Sequence, residues 1–405
     1  MKTVCKSTRF SDVRYEVRGV LAEEAERLEA RGENVIRLNI GNPASFGITA
    51  PPAAVETMSR NSASTQGYSN ARGTAEAVEA ILAYAKQKKL PNVTAETVFT
   101  GNGVSELIQM SLDALLNPGD EILIPTPDYP LWTAAATFAG GRVVHYNCDE
   151  ASGWYPDTED MERKVTDRTK AIVIINPNNP SGAIYPREIL EEIAGVARRH
   201  DLVIFSDEIY DRLITDGTEH ISIGALAPDV LCVTMNGLSK SHMLCGYRVG
   251  WMMLSGDTAS ARDYINGIAT LADMRLCSNV PGQSVIANAL SDKQRAEEYF
   301  IPGGRIYEQT ETAWRMLQEI PGVTAVKPRA AFYIFPRLDI ERFRITDDRK
   351  FALDLLREKK VLIVPGSGFN WAMPDHFRMV CLPQQDVMSE AVTRIGDFLE
   401  NYRQN

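Results

Sequence analysis

Between residues 121 and 254 the chain alternates short apolar runs, most of them rich in Val and Ile, with helix-length amphipathic segments, and few folds accommodate that pattern. The apolar runs fall at 121–124, 142–146, 170–175, 202–206, 230–235 and 248–254. Helical periodicity marks 105–116, 187–200 and 257–272. Strands that are apolar along nearly their whole length are buried on both faces. The expectation is an α/β fold with a mostly parallel sheet between layers of helices.

The last third reads differently. Its spacing predicts helices at 305–319, 350–359 and 386–402 around short strands at 331–336, 361–364 and 377–381, an α+β pattern. Near the start, 21–31 reads as a charged amphipathic helix and 35–40 as a strand that ends in the turn Gly41-Asn42-Pro43. The proline-rich stretch 43–52 separates these elements from the alternating block. We therefore expect residues 1–47 to form an N-terminal arm and part of a small domain, 48–290 a large domain, and 291–405 the rest of the small, C-terminal domain.

Charge and composition narrow the function. Forty-three basic against 53 acidic side chains leave a net charge of −10, with no electrostatic footprint for nucleic acid or an anionic membrane. No apolar run approaches the ~18 residues of a membrane span, and the first residues lack a signal-peptide core. Six scattered cysteines without a CxxC pair read as reduced thiols in a cytoplasm. Five histidines without an HxxxH pattern offer no protein metal site. These features describe a cytoplasmic protein that works on small molecules.

Four strand ends carry polar or glycine-rich sequence, where an open α/β sheet places its ligand. The first, Thr100-Gly101-Asn102-Gly103-Val104-Ser105, leads straight into a helix. Free amides and the helix dipole there suit a phosphate. It is neither a dinucleotide fingerprint, because Glu106 stands where a third glycine would be needed, nor a P-loop. The second is Asn176-Pro177-Asn178-Asn179-Pro180-Ser181-Gly182, and the third is Ser206-Asp207-Glu208-Ile209-Tyr210, whose acid after an apolar strand must face solvent or meet a cation. The fourth runs from Gly237 to Gly250 and contains Lys240 and Arg248. A lysine held there, partly desolvated, is a candidate Schiff-base amine. Each segment alone is compatible with a plain turn or a surface lysine. Together they supply what pyridoxal phosphate needs: an amine for its aldehyde, an acid for its ring nitrogen and donors for its phosphate.

In this order the motifs Asn-Pro-x-Asn-Pro-Ser-Gly, Asp-Glu-x-Tyr, and Ser-Lys followed by Gly-x-Arg resemble the class I/II aminotransferases of the aspartate aminotransferase fold. The resemblance spans almost the whole chain, from Asn39-Ile40-Gly41-Asn42-Pro43 to Phe377-Arg378-Met379-Val380. Within that family GNGVSELI, PTPDYPLW and NPNNPSGAIY are most similar to bacterial glutamate–pyruvate (alanine) aminotransferases. The resemblance implies a fold type I transferase that binds pyridoxal 5′-phosphate, with a seven-stranded, mostly parallel sheet in the large domain.

Residue by residue, the resemblance implies that Lys240 binds the cofactor covalently and carries the substrate's α-proton. Asp207 pairs with the pyridine nitrogen, Tyr210 and Asn179 bond the ring oxygen, and Tyr129 stacks on the ring. Gly103, Val104, Ser239 and Arg248 match phosphate contacts. Tyr68 matches a tyrosine that reaches the phosphate of the other subunit, which implies a homodimer with shared active sites. Arg378 matches the clamp on the substrate α-carboxylate, assisted by Gly41 and Asn179. Two positions depart from the pattern: Gly237 replaces a serine, removing one phosphate donor, and Met243 stands where small or branched residues are usual.

The implied reaction moves an amino group between L-alanine and 2-oxoglutarate, giving pyruvate and L-glutamate. One site must then accept a methyl group and a γ-carboxylate. A fixed distal cation would stand unpaired against alanine, so a movable one is expected, with Tyr15 and Arg18 as candidates. His242 and Cys245 read as packing residues, the latter as a small buried one. Other members of the fold, an aromatic or kynurenine aminotransferase or a carbon–sulfur β-lyase, share the cofactor parts. A ligand-sensing regulator of the same fold would carry an added DNA-binding segment.

Overall fold

The computed structural model describes residues 3–11, 13, 19–292 and 298–404. Its centre is one sheet in the order Val98–Gly101, Gly250–Ser255, Cys232–Gly237, Val203–Asp207, Thr169–Ile175, Glu121–Thr126, Arg142–Asp149 and Tyr155–Pro156. The inner strands from Cys232–Gly237 across to Arg142–Asp149 pair in parallel. Gly250–Ser255 runs against both of its neighbours. The sheet thus has eight strands where seven were expected. The additional one is the two-residue Tyr155–Pro156, which pairs antiparallel with Arg142–Asp149 at the sheet edge, where a strand's outer backbone groups otherwise lack partners. Val98–Gly101, four residues long, escaped the sequence pattern.

Successive residues of these strands enter opposite cores, as the period of two requires. Ile122, Ile124, Val173, Ile175 and Phe205 pack with Leu107, Ile108, Leu112, Trp132 and Ile268 on one face. Leu123, Ile172, Ile174 and Ile204 pack with Leu190, Ile193 and Tyr146 on the other. The helices Val104–Leu115, Leu131–Phe138 and Arg262–Met274 therefore cover one side, and Thr158–Lys164 and Arg187–Arg199 the other. That double cover is why the strands carry almost no polar residue until their ends.

The C-terminal third is built from Arg305–Gln318, Asp348–Lys359 and Gln385–Asn401. They pack over a three-stranded sheet of Tyr333–Ile334, Phe377–Val380 and Val364–Pro365. Ile36–Arg37, from the start of the chain, pairs in parallel with Val361–Leu362. This pairing carries the following turn, Gly41-Asn42, towards the end of the large sheet.

Candidate active site

Five chain segments deliver residues to one end of the large sheet, because the parallel strands all terminate there. Asp207 is the last residue of Val203–Asp207, in register with Ile175 and Met235 on its two neighbours. Asn179 follows Thr169–Ile175, and Tyr129 follows Glu121–Thr126. Lys240 lies in the short helix Leu238–Ser241 directly after Cys232–Gly237. Gly103 caps the helix Val104–Leu115 after Val98–Gly101. Since Gly250–Ser255 runs in reverse, Arg248, just before its start, comes to the same end of the sheet.

These segments surround a cavity of about 780 Å³. Of the residues singled out from sequence, Gly41, Val104, Tyr129, Asn179, Asp207, Tyr210, Ser239, Lys240, Arg248 and Arg378 line it. Gly103 adjoins it under the Arg248 guanidinium. Tyr68 is 83% exposed and is not part of the lining. Tyr15 and Arg18 lie outside the described residues.

The Asp207 carboxylate is buried, and the hydrogen bonds it accepts come from neutral groups, Trp132 Nε1 at 3.2 Å and the Ile209 amide at 3.3 Å. Burial raises its pKa to about 6, against the pull of those two donors. Such a carboxylate suits a protonated ring nitrogen. Lys240 Nζ donates to the Gly41 carbonyl at 2.6 Å, so this amine touches the turn that comes from the N-terminal strand.

Arg378, in the strand Phe377–Val380, is buried. It donates to Asn179 Oδ1 at 3.1 Å and to the Asn39 carbonyl. Its guanidinium stands between the rings of Tyr333 and Phe369, 4.6 and 4.7 Å from their centroids. The stacking and the Asn179 bond fix the plane of the fork, as two-pronged carboxylate binding needs.

The turn at Gly103, expected from sequence to take a phosphate, is packed against Arg248. Arg248 donates to the Asn102 carbonyl at 3.2 Å and to the Cys245 carbonyl at 2.8 Å. A Cβ on Gly103, whose φ is +83°, would fall 2.4 Å from Arg248 Nη2. The guanidinium therefore rests on the N-terminus of a 12-residue helix, whose amides and dipole are themselves positive. Two positive ends in contact suit a bound anion, and the donors fit a phosphate group.

Local crowding also accounts for Gly237. A Cβ there would lie 2.5 Å from the Val249 carbonyl oxygen, so this backbone has no room for the serine of related sequences. Met243, at φ +59°, lines the cavity. His242 bonds the Ala289 carbonyl at 2.7 Å and Ser241 at 2.8 Å, away from the cavity lining. Cys245 departs from the expectation: it is only half-buried, lines the cavity and places Sγ 3.2 Å from Asn42 Oδ1.

Sequence reading missed the residues that steady the site from behind. Lys88 Nζ lies 2.8 Å from Glu208 and 2.9 Å from Asp211, flanking the turn that presents Asp207 and Tyr210. His220 Nε2 lies 3.0 Å from the Asn176 carbonyl oxygen, and Nδ1 lies 3.3 Å from Lys88. Asn236 donates to Tyr84 and to the Glu208 carbonyl. Tyr333 was missed as well; it lines the cavity and bonds Tyr210. No local motif marks these residues, because each acts on a segment far away in sequence.

Residues 33–395 match the family described as aminotransferase class I and II. The chain is 50% identical to the glutamate-pyruvate aminotransferase AlaA of Haemophilus influenzae over 404 residues, all of both chains. It is 49% identical to the alanine aminotransferase of Mycobacterium tuberculosis, over all of this chain and 94% of that one. The crystal structure of an aminotransferase from Escherichia coli superposes with a TM-score of 0.98 at 49% identity, covering both chains fully.

Proposed function

The chain belongs to the class I and II aminotransferases, enzymes that depend on pyridoxal phosphate, and from that premise we propose that it moves an amino group between L-alanine and 2-oxoglutarate, giving pyruvate and L-glutamate. One observation carries the chemical half of this reading: an amine, a buried acid and a carboxylate-binding guanidinium (Lys240, Asp207 and Arg378) line the same cavity. The names of the half-identical, full-length relatives support alanine and glutamate as the substrates.

When bound, pyridoxal phosphate supplies an electron-withdrawing ring attached through its aldehyde carbon. Gly103, Val104, Ser239 and Arg248 would hold the phosphate, and Tyr129 would face the ring. Asp207 keeps the ring nitrogen protonated, which makes the withdrawal strong. Tyr210 and Asn179 donate to the ring oxygen. Arg378 grips the substrate's α-carboxylate with charge-assisted hydrogen bonds worth roughly 1.5–3 kcal/mol each, beside Asn179 and Gly41. With the carboxylate held, the α-carbon would face Lys240, whose Nζ, once displaced by the substrate's amine, would take the α-proton and pass it to the former aldehyde carbon. Holding Gly41 and Arg378 in one cluster ties the position of that amine to the grip on the carboxylate.

The working form in this proposal is a homodimer in a cytoplasm, serving alanine synthesis. Tyr68 is exposed in the segment just before Arg72, whose carbonyl accepts the Thr100 amide at 2.8 Å at the foot of the phosphate turn. A tyrosine so placed is available to a second copy. No described helix is long and apolar enough to cross a membrane. Arg18 and Tyr15 keep the role assigned from sequence, reading the γ-carboxylate of glutamate.

A half-reaction screen tests the proposal. Alanine and glutamate are expected to bleach the visible band of the lysine-bound cofactor fastest. Bleaching by aromatic amino acids alone, or repeated release of pyruvate from a sulfur amino acid without an acceptor, would reject the alanine reading. Arg18→Ala is expected to shift preference from glutamate towards alanine, and sedimentation should give the mass of two chains.

A further inference from the structure

The turn that carries Gly103 is held in shape by a carboxylate. Glu106, third residue of the helix Val104–Leu115, accepts the Asn102 backbone amide at 2.7 Å and the Asn102 side-chain amide at 2.9 Å. This fixes the loop that leads into the helix. It also sets a negative charge within one turn of the amides read as the phosphate cradle, where it repels the very group the cradle binds.

Arg275 offsets that charge from a distant part of the chain. It follows the helix Arg262–Met274, 169 residues beyond Glu106, and places Nη1 2.6 Å from Glu106 Oε2. The same guanidinium donates to the Thr100 carbonyl at 3.2 Å and to the Ala71 carbonyl at 2.8 Å. The pair is mostly buried, with side chains 14% and 25% exposed, so salt and water screen it little. Arg275 is not among the residues that line the cavity.

We infer that Arg275 is a positioning residue for the cofactor's phosphate: it neutralises Glu106, so that Glu106 can brace the cradle without repelling the dianion. The inference rests on reading Gly103, Val104, Ser239 and Arg248 as that cradle. It makes the phosphate site a balance of three charged side chains, in which Arg248 faces the ligand and Arg275 cancels the brace behind it.

The test compares cofactor uptake by full-length apoenzyme in the wild type, Arg275→Met, Glu106→Gln and the double variant, titrating pyridoxal 5′-phosphate and, separately, pyridoxal without its phosphate. Arg275→Met should bind pyridoxal phosphate about tenfold more weakly, as an uncompensated nearby charge implies, with pyridoxal affinity unchanged. Adding Glu106→Gln should bring the affinity back to within about threefold of wild type, since the two sites couple directly. Equal losses for both ligands, or a double variant as weak as Arg275→Met, would overturn the inference and leave Arg275 as a tie for Ala71 and Thr100 alone. If inorganic phosphate failed to compete with pyridoxal phosphate on the wild-type protein, the cradle reading itself would fall, and the brace with it.

Discussion

Tyr210 and Tyr333 meet hydroxyl to hydroxyl at 2.8 Å, joining the turn after Val203–Asp207 to the short strand Tyr333–Ile334. Their rings stand nearly perpendicular, with centroids 5.7 Å apart. Tyr210 is thus the middle of a chain of hydrogen bonds whose outer end is proposed to be the cofactor's ring oxygen. Linked hydrogen bonds polarise one another. Tyr333→Phe removes the inner link and is expected to lower kcat/KM roughly three- to tenfold, the worth of one such bond. Cofactor retention after gel filtration should stay at the wild-type level.

Arg378→Lys keeps the charge but loses the planar fork and its stacking between Tyr333 and Phe369. The KM for alanine and glutamate should rise by about tenfold or more, the loss of one charge-assisted bond. The visible spectrum of the resting enzyme should not change. An unaltered KM would contradict the clamp.

Lys240→Ala removes the amine proposed to carry the α-proton and join the cofactor. Turnover should vanish, together with the visible band of the lysine-bound cofactor. Measurable multiple turnover in this variant would refute its role.

Asp207 gives a pH signature to the apoenzyme. Its folded pKa is raised by burial to about 6, against an ordinary 3.8. Between those values the folded chain holds more protons than the unfolded one, so this group's contribution to stability falls as pH rises from about 4 to about 6 and stays low above. The whole fall amounts to roughly 3 kcal/mol. Apo Asp207→Asn should therefore be the more stable protein at pH 8, by an amount that shrinks towards pH 4, while its transaminase activity collapses. Urea titrations of both apoproteins at several pH values measure this, and a pH-independent difference would be the contrary result.

Lys88 stands between Glu208 and Asp211, with its side chain 10% exposed. Its positive charge holds Asp211 well below the usual carboxylate range, against the effect of burial. Lys88→Met strands two buried carboxylates and should cost about 3–5 kcal/mol of stability. Adding Asp211→Asn should recover part of that loss, which thermal denaturation of the single and double variants can show.

The alternation of apolar runs with amphipathic helices determined, without any coordinates, that a mostly parallel sheet lies between helices. The same local patterning placed Asp207, Asn179 and Lys240 at strand ends, because a doubly buried strand can turn polar only where it leaves the core. A motif of a few neighbouring residues survives in sequence because the backbone itself holds its members together. Tertiary structure alone decided the contacts between segments far apart: Lys240 to Gly41 across 199 positions, Tyr210 to Tyr333 across 123, and Arg275 to Glu106 across 169. It also decided that the reversed strand Gly250–Ser255 returns Arg248 to the turn at Gly103, and that no side chain fits at Gly237. Spacing along the chain carries no trace of such meetings, since strand order and crossovers, and not sequence distance, set which ends become neighbours.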